Sequence, residues 1–357
     1  MSVPTPADQL RFLSNLQRLL AEGQFVATYK YALLLALADI AIEQGDDSGK
    51  PLTVTTSQIA EKFIEFYWRQ CVPYMPRVPT AGNGQVLRQN TGRQAAIIRQ
   101  ISAARVRCGD SLATAKRNAR EWKGLVSKVA AVVQTMPLWK LQTVGDGTLD
   151  FLYANKQKGS VIELRPGIAY CLRHFYGLFG DLVRGAWVRY VRRNNHDVLG
   201  TTADLTEFLF GSERADLSTI QAVLCEVEGS KCFYCERPLR GGACHVDHFI
   251  PWSRYPVDLG HNFVLAHDTC NSAKADHLAA GEYLAKWAER NRSCASALSD
   301  GFARRQVLHD LPTSVRVARW AYGQASAVGG LTWLRGGDLI PLGAGWELPL
   351  MDMVAVV

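Results

Sequence analysis

No apolar run in this 357-residue chain is long enough to cross a bilayer as a helix. The most apolar stretch, Tyr31 to Ile42, is shorter than the roughly 20 residues a span needs, and it contains Asp39. The N-terminus, MSVPTPADQL, has no basic segment followed by an apolar one, so no secretory leader is expected. No fixed-period repeat and no long low-complexity stretch stands out. A disulfide framework is also missing. The cysteines number nine, and the only close pairs have metal-ligand spacing. Cys71, Cys108, Cys171, Cys225, Cys244 and Cys294 are scattered through apolar or helical contexts, as buried thiols in a reducing compartment are. These absences together lead to the expectation of a soluble, cytoplasmic protein with no membrane partner.

Acidic residues are scarce in one region. Between Arg77 and Lys128 only Asp110 and Glu121 oppose Arg77, Arg88, Arg93, Arg99, Arg105, Arg107, Lys116, Arg117, Arg120, Lys123 and Lys128. The whole chain carries only +7, from 40 basic and 33 acidic residues, so the positive charge is concentrated rather than general. Arg93, Arg99 and Arg105 are the candidate phosphate contacts there. Hydrophobic content of 48% and charged content of 20% are those of an ordinary globular protein, and the length allows two domains.

Periodicity predicts helices over 7–22 and 24–44, the second with Phe25, Tyr29, Leu33, Ala36 and Ile40 on one buried face. A turn cluster at 44–49 precedes a strand, Leu52 to Thr55, and a helix running to Cys71 with Thr56 or Ser57 as its N-cap. That entry loosely matches a helix-turn-helix, or is a packed amphipathic helix. A connector over 72–84 leads to basic helices over 91–107 and 110–134. Phe151–Ala154 and Ser160–Leu164 form a candidate hairpin. The helix ending near Arg193 mixes Trp187 and Tyr190 with arginines, which suits either nucleic-acid stacking or a core helix with a solvated edge. Residues 203–228, 279–292 and 298–325 read as helical, and 331–357 as short strands packing back.

The stretch KCFYCERPLRGGACHVDHFIPWSRYPVDLGHNFVLAHDTCNSAKADHL, from Lys231 to Leu278, carries the chemistry. Cys232-x-x-Cys235 is answered by His267-x-x-Cys270, two pairs of the spacing a tetrahedral zinc site takes. Cys244 is the rival ligand if His267 does not serve, and ordinary buried thiols are the plain alternative. Beside these pairs lie Asp247-His248, Asn262 and Asn271, a hard-oxygen and imidazole set suited to Mg²⁺ and general-base work. The segment resembles an HNH (ββα-metal) endonuclease domain of the zinc-ribbon-bearing kind, over roughly 230–280. The resemblance implies that His248 is the general base and that Asn262 orients it by tying a loop to the strand. It implies that Asp247 and Asn271 hold Mg²⁺ or Mn²⁺, with Asn271 standing where many members have a second histidine. His245 matches the leading residue of a His-x-Asp-His form, as a phosphate contact or merely a strand cover. Strand alternation sets Asp247 opposite His248, so a bend is expected to bring both to one metal. Lys274 and His277, on the following helix, either bind the neighbouring phosphate or form a solvated face. His261 reads as a loop residue.

The expected fold class is α+β. A mainly helical, DNA-binding or target-recognition part over 1–210 precedes an HNH domain over 211–295 with a structural zinc knuckle. A helical and short-strand extension over 296–357 packs on the rest. The expected activity is metal-dependent hydrolysis of DNA, double-stranded in the first instance, with nicking by a monomer. A role beside partner proteins of a bacterial defence system is an analogy of architecture. A non-catalytic zinc-ribbon adaptor and a ribonuclease or toxin are the alternatives, and oligomeric state has no sequence signature.

Overall fold

A helix that is apolar on every side has to be enclosed by others, and YKYALLLALADIAIEQ from Tyr29 to Gln44 is such a helix: every residue from Lys30 to Glu43 is buried. The computed structural model describes residues 3–75, 84–92, 94–155, 159–199, 205–211, 217–239 and 244–354. The chain divides into two compact units, Met1–Gly211 and Ser212–Val357. Among the described residues no helix is long and apolar enough to cross a membrane.

In order, the first unit contains α1 (Pro6–Glu22), α2 (Tyr29–Gln44), β1 (Leu52–Thr55), α3 (Thr56–Gln70), α4 (Ala96–Cys108), α5 (Leu112–Arg117) and α6 (Ala119–Thr135). It continues with α7 (Pro137–Lys140), β2 (Thr143–Val144), β3 (Gly147–Thr148), β4 (Val161–Leu164), α8 (Ile168–His174), α9 (Tyr176–Asn194) and α10 (Leu205–Phe210). α2 lies at the centre, against α3, α7, α8 and α9. It is buried all round, where one apolar face was expected. Its charged residues therefore need partners. Glu43 takes Lys62 Nζ at 2.6 Å, and Lys62 also reaches Glu65 at 3.1 Å. Asp39 accepts the Tyr176 hydroxyl at 2.7 Å, and burial pushes its carboxyl up to about 6. Arg173 donates to the carbonyls of Ala41, Ile42 and Gly45, satisfying the end of α2, and pairs with Asp47 at 2.7 Å.

Several local expectations shift. α2 starts at Tyr29 rather than residue 24, because Thr28 N–H is committed to the Gln89 carbonyl. α3 is capped by Thr55, whose side chain accepts from Gln58 N while Gln58 reaches back to Thr55 N, a reciprocal box one residue earlier than expected. Ile59, Phe63 and Tyr67 are fully buried, so α3 is a core helix. The basic stretch expected as one helix over 110–134 breaks at Asn118, whose side chain caps α6. β4 pairs antiparallel with β1, and Tyr153 contributes only a single bridge to Leu164, in place of the expected hairpin. Trp187 and Tyr190 are buried along α9, whereas Arg189, Arg192 and Arg193 near its end are exposed.

The second unit contains α11 (Leu217–Glu228), β5 (Cys244–His248), β6 (Phe263–His267), α12 (Asp268–Lys274), α13 (Gly281–Ser293), α14 (Ala295–Arg304) and α15 (Leu311–Ala327). It ends with β7 (Leu331–Arg335), β8 (Asp338–Pro341) and α16 (Leu348–Val354). β5 and β6 pair antiparallel through five positions, from Cys244↔His267 to His248↔Phe263, and α12 follows β6 directly. The span expected as one helix over 298–325 is two. Gln306 takes a positive φ of 58° between them, and the Asp310 side chain caps α15. The tail forms the β7–β8 hairpin as expected, but adds α16.

Replacing Arg173 by alanine removes a donor from the carbonyls of Ala41, Ile42 and Gly45, and breaks the ion pair with Asp47. The unfolding free energy should fall by about 3 kcal/mol. Urea denaturation followed by circular dichroism measures this, and a change under 1 kcal/mol would contradict the capping role.

Candidate metal centre and active site

A knuckle folds where Cys232 and Cys235 flank two aromatic residues. Glu236 N–H bonds the Cys232 carbonyl at 2.9 Å, Cys232 N–H bonds the Arg237 carbonyl at 3.0 Å, and Glu236 adopts a positive φ of 61°. Phe233 N–H then bonds Leu265 O at 2.7 Å, which seats the knuckle on β6. His267 ends β6 and Cys270 lies in the first turn of α12. The result is a cluster in which one donor atom each from Cys232, Cys235, His267 and Cys270 lies within 4.8 Å of the others. Cys235 Sγ and His267 Nδ1 are 3.3 Å apart, and His267 Nε2 faces the Pro238 carbonyl at 3.3 Å. That second contact is of the kind that fixes a ligand imidazole's tautomer.

This donor set can hold zinc. Burial raises the Cys232 thiol, but backbone N–H groups of Cys235, His267 and Tyr234 favour its thiolate and bring it to about 7. Burial and the neighbouring Cys232 and Cys235 thiolates push Cys270 up to about 12. A divalent ion would relieve that crowding of like charges. Cys244, the rival ligand, is outside the cluster. It lies beside Cys225, and burial raises its thiol to about 11.

Asp247 and His248, adjacent on β5, are engaged by different partners. Asp247 is 7% exposed. Its carboxylate accepts the Tyr234 hydroxyl and the Lys274 ammonium, the latter at 3.1 Å. His248 Nε2 lies 2.7 Å from Asp258 Oδ1, and its ring packs 4.6 Å from Phe263 and 5.6 Å from Trp252, centroid to centroid. The expected bend is not there: β5 keeps its register through both residues, so alternation holds them on opposite faces.

Among the described residues, the side-chain hydrogen bonds of Asn262 go to Ile250 and not to the His248 ring. Asn262 accepts Ile250 N–H at 2.8 Å and donates to Ile250 O at 3.0 Å, closing the loop between β5 and β6 at its base. α13 reinforces that closure. Trp287, Arg290 and Asn291 all donate to the His261 carbonyl, and Arg290 also reaches Phe263 O at 3.1 Å and Glu228 at 2.8 Å. His261, expected as a loop residue, is thus a buried anchor beside Ser299. Burial, with Arg290 and His309 nearby, lowers its pKa to about 3.

The residues expected at phosphate divide. Lys274 is fully buried on Asp247 and on His248 O at 2.9 Å, so it is neither a solvated face nor open to a backbone phosphate. Burial lowers its pKa against the opposing pull of Asp247. His245 is exposed, with Nε2 3.8 Å from Asp268, and His277 is exposed just beyond α12. Arg105 turns inward, bonding Trp68 O at 2.7 Å and Asp110 at 3.1 Å with its guanidinium over the Trp68 ring. Arg99 is exposed and lines a cleft of about 240 Å³ between α4 and α6 with Gln100, Arg107 and Lys128. Arg93 lies outside the described residues. Asn271 is half-buried on α12, one turn before Lys274. Its side-chain amide oxygen, like the Asp247 carboxylate, is a hard donor of the kind Mg²⁺ takes.

Residues 232–277 match the family model described as HNH endonuclease. Domains of that family are in general nucleases, which supports nucleic-acid hydrolysis as the chemistry of this segment. Residues 9–198, more than half of the chain, match a second model, described as a domain of unknown function, DUF8808; the chain belongs to that family. No curated protein and no solved structure matches the chain.

Cys235→Ser should release tightly held zinc and lower the melting temperature of the second unit, as read by elemental analysis and calorimetry; zinc retained at one equivalent contradicts the four-ligand assignment. A pH dependence follows from His261. Its folded pKa lies below the unfolded 6.5, so its stabilising contribution is complete above about 6.5 and is lost as pH falls toward 3. His261→Gln should flatten the stability–pH slope in that window by up to about 1.4 kcal/mol per pH unit, measured by urea titrations at several pH values.

Proposed function

We propose that this protein is a metal-dependent endonuclease that hydrolyses DNA phosphodiester bonds and leaves 5′-phosphate and 3′-hydroxyl ends. The observation that carries the reading is the HNH match over 232–277 together with a His248 ring held by Asp258 at one nitrogen, the other left to accept a proton. His248 takes the proton of the attacking water, and a neutral imidazole is a competent base near neutral pH. Asp247 and Asn271 would hold a divalent ion, Mg²⁺ or Mn²⁺, which would supply Lewis-acid stabilisation of the charge that develops on the phosphate. Base and ion need not share a coordination sphere, so side chains on opposite faces of β5 are compatible with this division of labour. Lys274 pairs with Asp247 at 3.1 Å and fixes the direction of its carboxylate.

The zinc cluster is structural in this reading, because all four positions are filled by protein ligands. Asn262 keeps the loop that borders His248 closed. In the first unit the cleft with Arg99, Arg107 and Lys128, flanked by the exposed Arg120 and Lys123, contacts duplex phosphates without reading sequence. One such active site cuts one strand, so a monomer nicks.

Purified zinc-loaded protein should convert supercoiled plasmid to open circles in Mg²⁺ or Mn²⁺ and not in EDTA. His248→Ala should lose at least about 100-fold in rate with zinc content and fold unchanged. Cleavage of RNA but not plasmid would replace DNA as the substrate, and undiminished nicking by His248→Ala would overturn the mechanism.

A further inference from the structure

The loop between β5 and β6 is more tightly held than a connector needs to be. Its base is closed by the two Asn262–Ile250 hydrogen bonds and by Phe249 N–H on Asn262 O at 2.8 Å. Gly260 N–H bonds Leu308 O at 2.8 Å, and a Cβ at Gly260 would meet the Phe302 ring at 2.6 Å, so only glycine fits that approach. Inside the loop, Arg254 N–H and Val257 N–H bond the carbonyls of Pro251 and Tyr255. What these restraints deliver to β5 is one side chain, the Asp258 carboxylate, 2.7 Å from His248 Nε2 and only 15% exposed. Phe263 and Trp252 pack against the same ring.

From this geometry we infer that Asp258 is a positioning residue: it holds His248 as the Nε2–H tautomer and so presents the Nδ1 lone pair to the water that attacks the phosphate. An ionised carboxylate only accepts hydrogen bonds, so the nitrogen facing it must carry the proton. The unpartnered nitrogen is then the basic one. The same contact stabilises the imidazolium formed when Nδ1 takes a proton from water, and it stops the ring from turning over between the aromatic residues. The water O–H breaks, its proton moves to Nδ1, its oxygen bonds phosphorus, and the P–O3′ bond breaks with its electron pair on the 3′-oxygen, which takes a proton from solvent water to become the 3′-hydroxyl. The inference rests on the nuclease reading for its kinetic part only.

The near-isosteric Asp258→Asn can face Nε2 with either an acceptor or a donor, so it loosens tautomer selection while preserving shape. Long-range ¹⁵N–¹H correlation spectra of the zinc-loaded full chain, with the His248 signal assigned from its loss in His248→Ala, should show the Nε2–H form in the wild type and a mixture in Asp258→Asn. Plasmid nicking by that variant should fall in kcat by roughly 100-fold or more, by analogy with carboxylates that hold a base imidazole in other hydrolases, with KM and melting temperature unchanged. Asp258→Glu, which keeps an acceptor-only group, should recover part of the rate. If Asp258→Asn retains either the wild-type ring spectrum or the wild-type kcat, the positioning role is overturned. If the wild type itself cuts no nucleic acid in any divalent metal, the nuclease reading fails instead, and the ring spectrum alone decides whether Asp258 sets His248.

Discussion

Four soft donor atoms drawn within 4.8 Å of one another are the constraint on which the second unit depends. They bring together a knuckle at Cys232 and Cys235, the end of β6 and the first turn of α12. The intervening segment has a modest apolar content, and a metal held by these four donors would add folding free energy to it. The Phe233–Leu265 backbone bond seats the knuckle on β6, where the four donor atoms crowd together. With the knuckle on β6, the register of β5 against β6 is set, and with it the faces on which Asp247 and His248 project.

A second set of restraints acts on the other side of β5. The His261 carbonyl receives three donors from α13, and the flanking Phe263 carbonyl shares Arg290. Buried charge is tolerable in Arg290 because Glu228 answers it at 2.8 Å. This places Asn262 so that its amide spans both polar groups of Ile250, and the loop carrying Asp258 is closed as a consequence. Chemistry proposed for His248 therefore relies on a helix that contributes no atom to the site. Across the strand, Tyr234 and Lys274 converge on Asp247, so a single carboxylate is linked to the knuckle and to α12 at once.

The first unit belongs to a family whose function is not described, and its construction is that of a helical scaffold around α2. Inside it Glu43, Lys62, Glu65 and Lys116 form a connected series of contacts at 2.6–3.1 Å. Outside, the α4–α6 face keeps Arg99, Arg120, Lys123 and Lys128 exposed. Paired interior charge supports the fold, whereas this exposed positive surface is what we propose for duplex phosphates.

Much of the candidate site was legible because its signals are local. Two x-x-spaced ligand pairs and the order of Asp247, His248, Asn262 and Asn271 survive in any fold that joins them, and the helices of the first unit follow from 3.6-residue periodicity. Caps and breaks at Thr55, Asn118 and Gln306 were less readable, since a competing local hydrogen bond or a positive φ shifts a boundary by a residue or splits a helix. What only the tertiary structure decided is which polar side chains face inward. Lys274 and Arg105 look like surface cations in sequence, yet each is buried against an oxygen supplied from far along the chain. Asp258 carried no spacing signature at all; it meets His248 because a long-range amide bridge and a close-packed glycine fold its loop back. Spacing determines which ligands can combine, whereas the direction of a side chain depends on packing between elements distant in sequence.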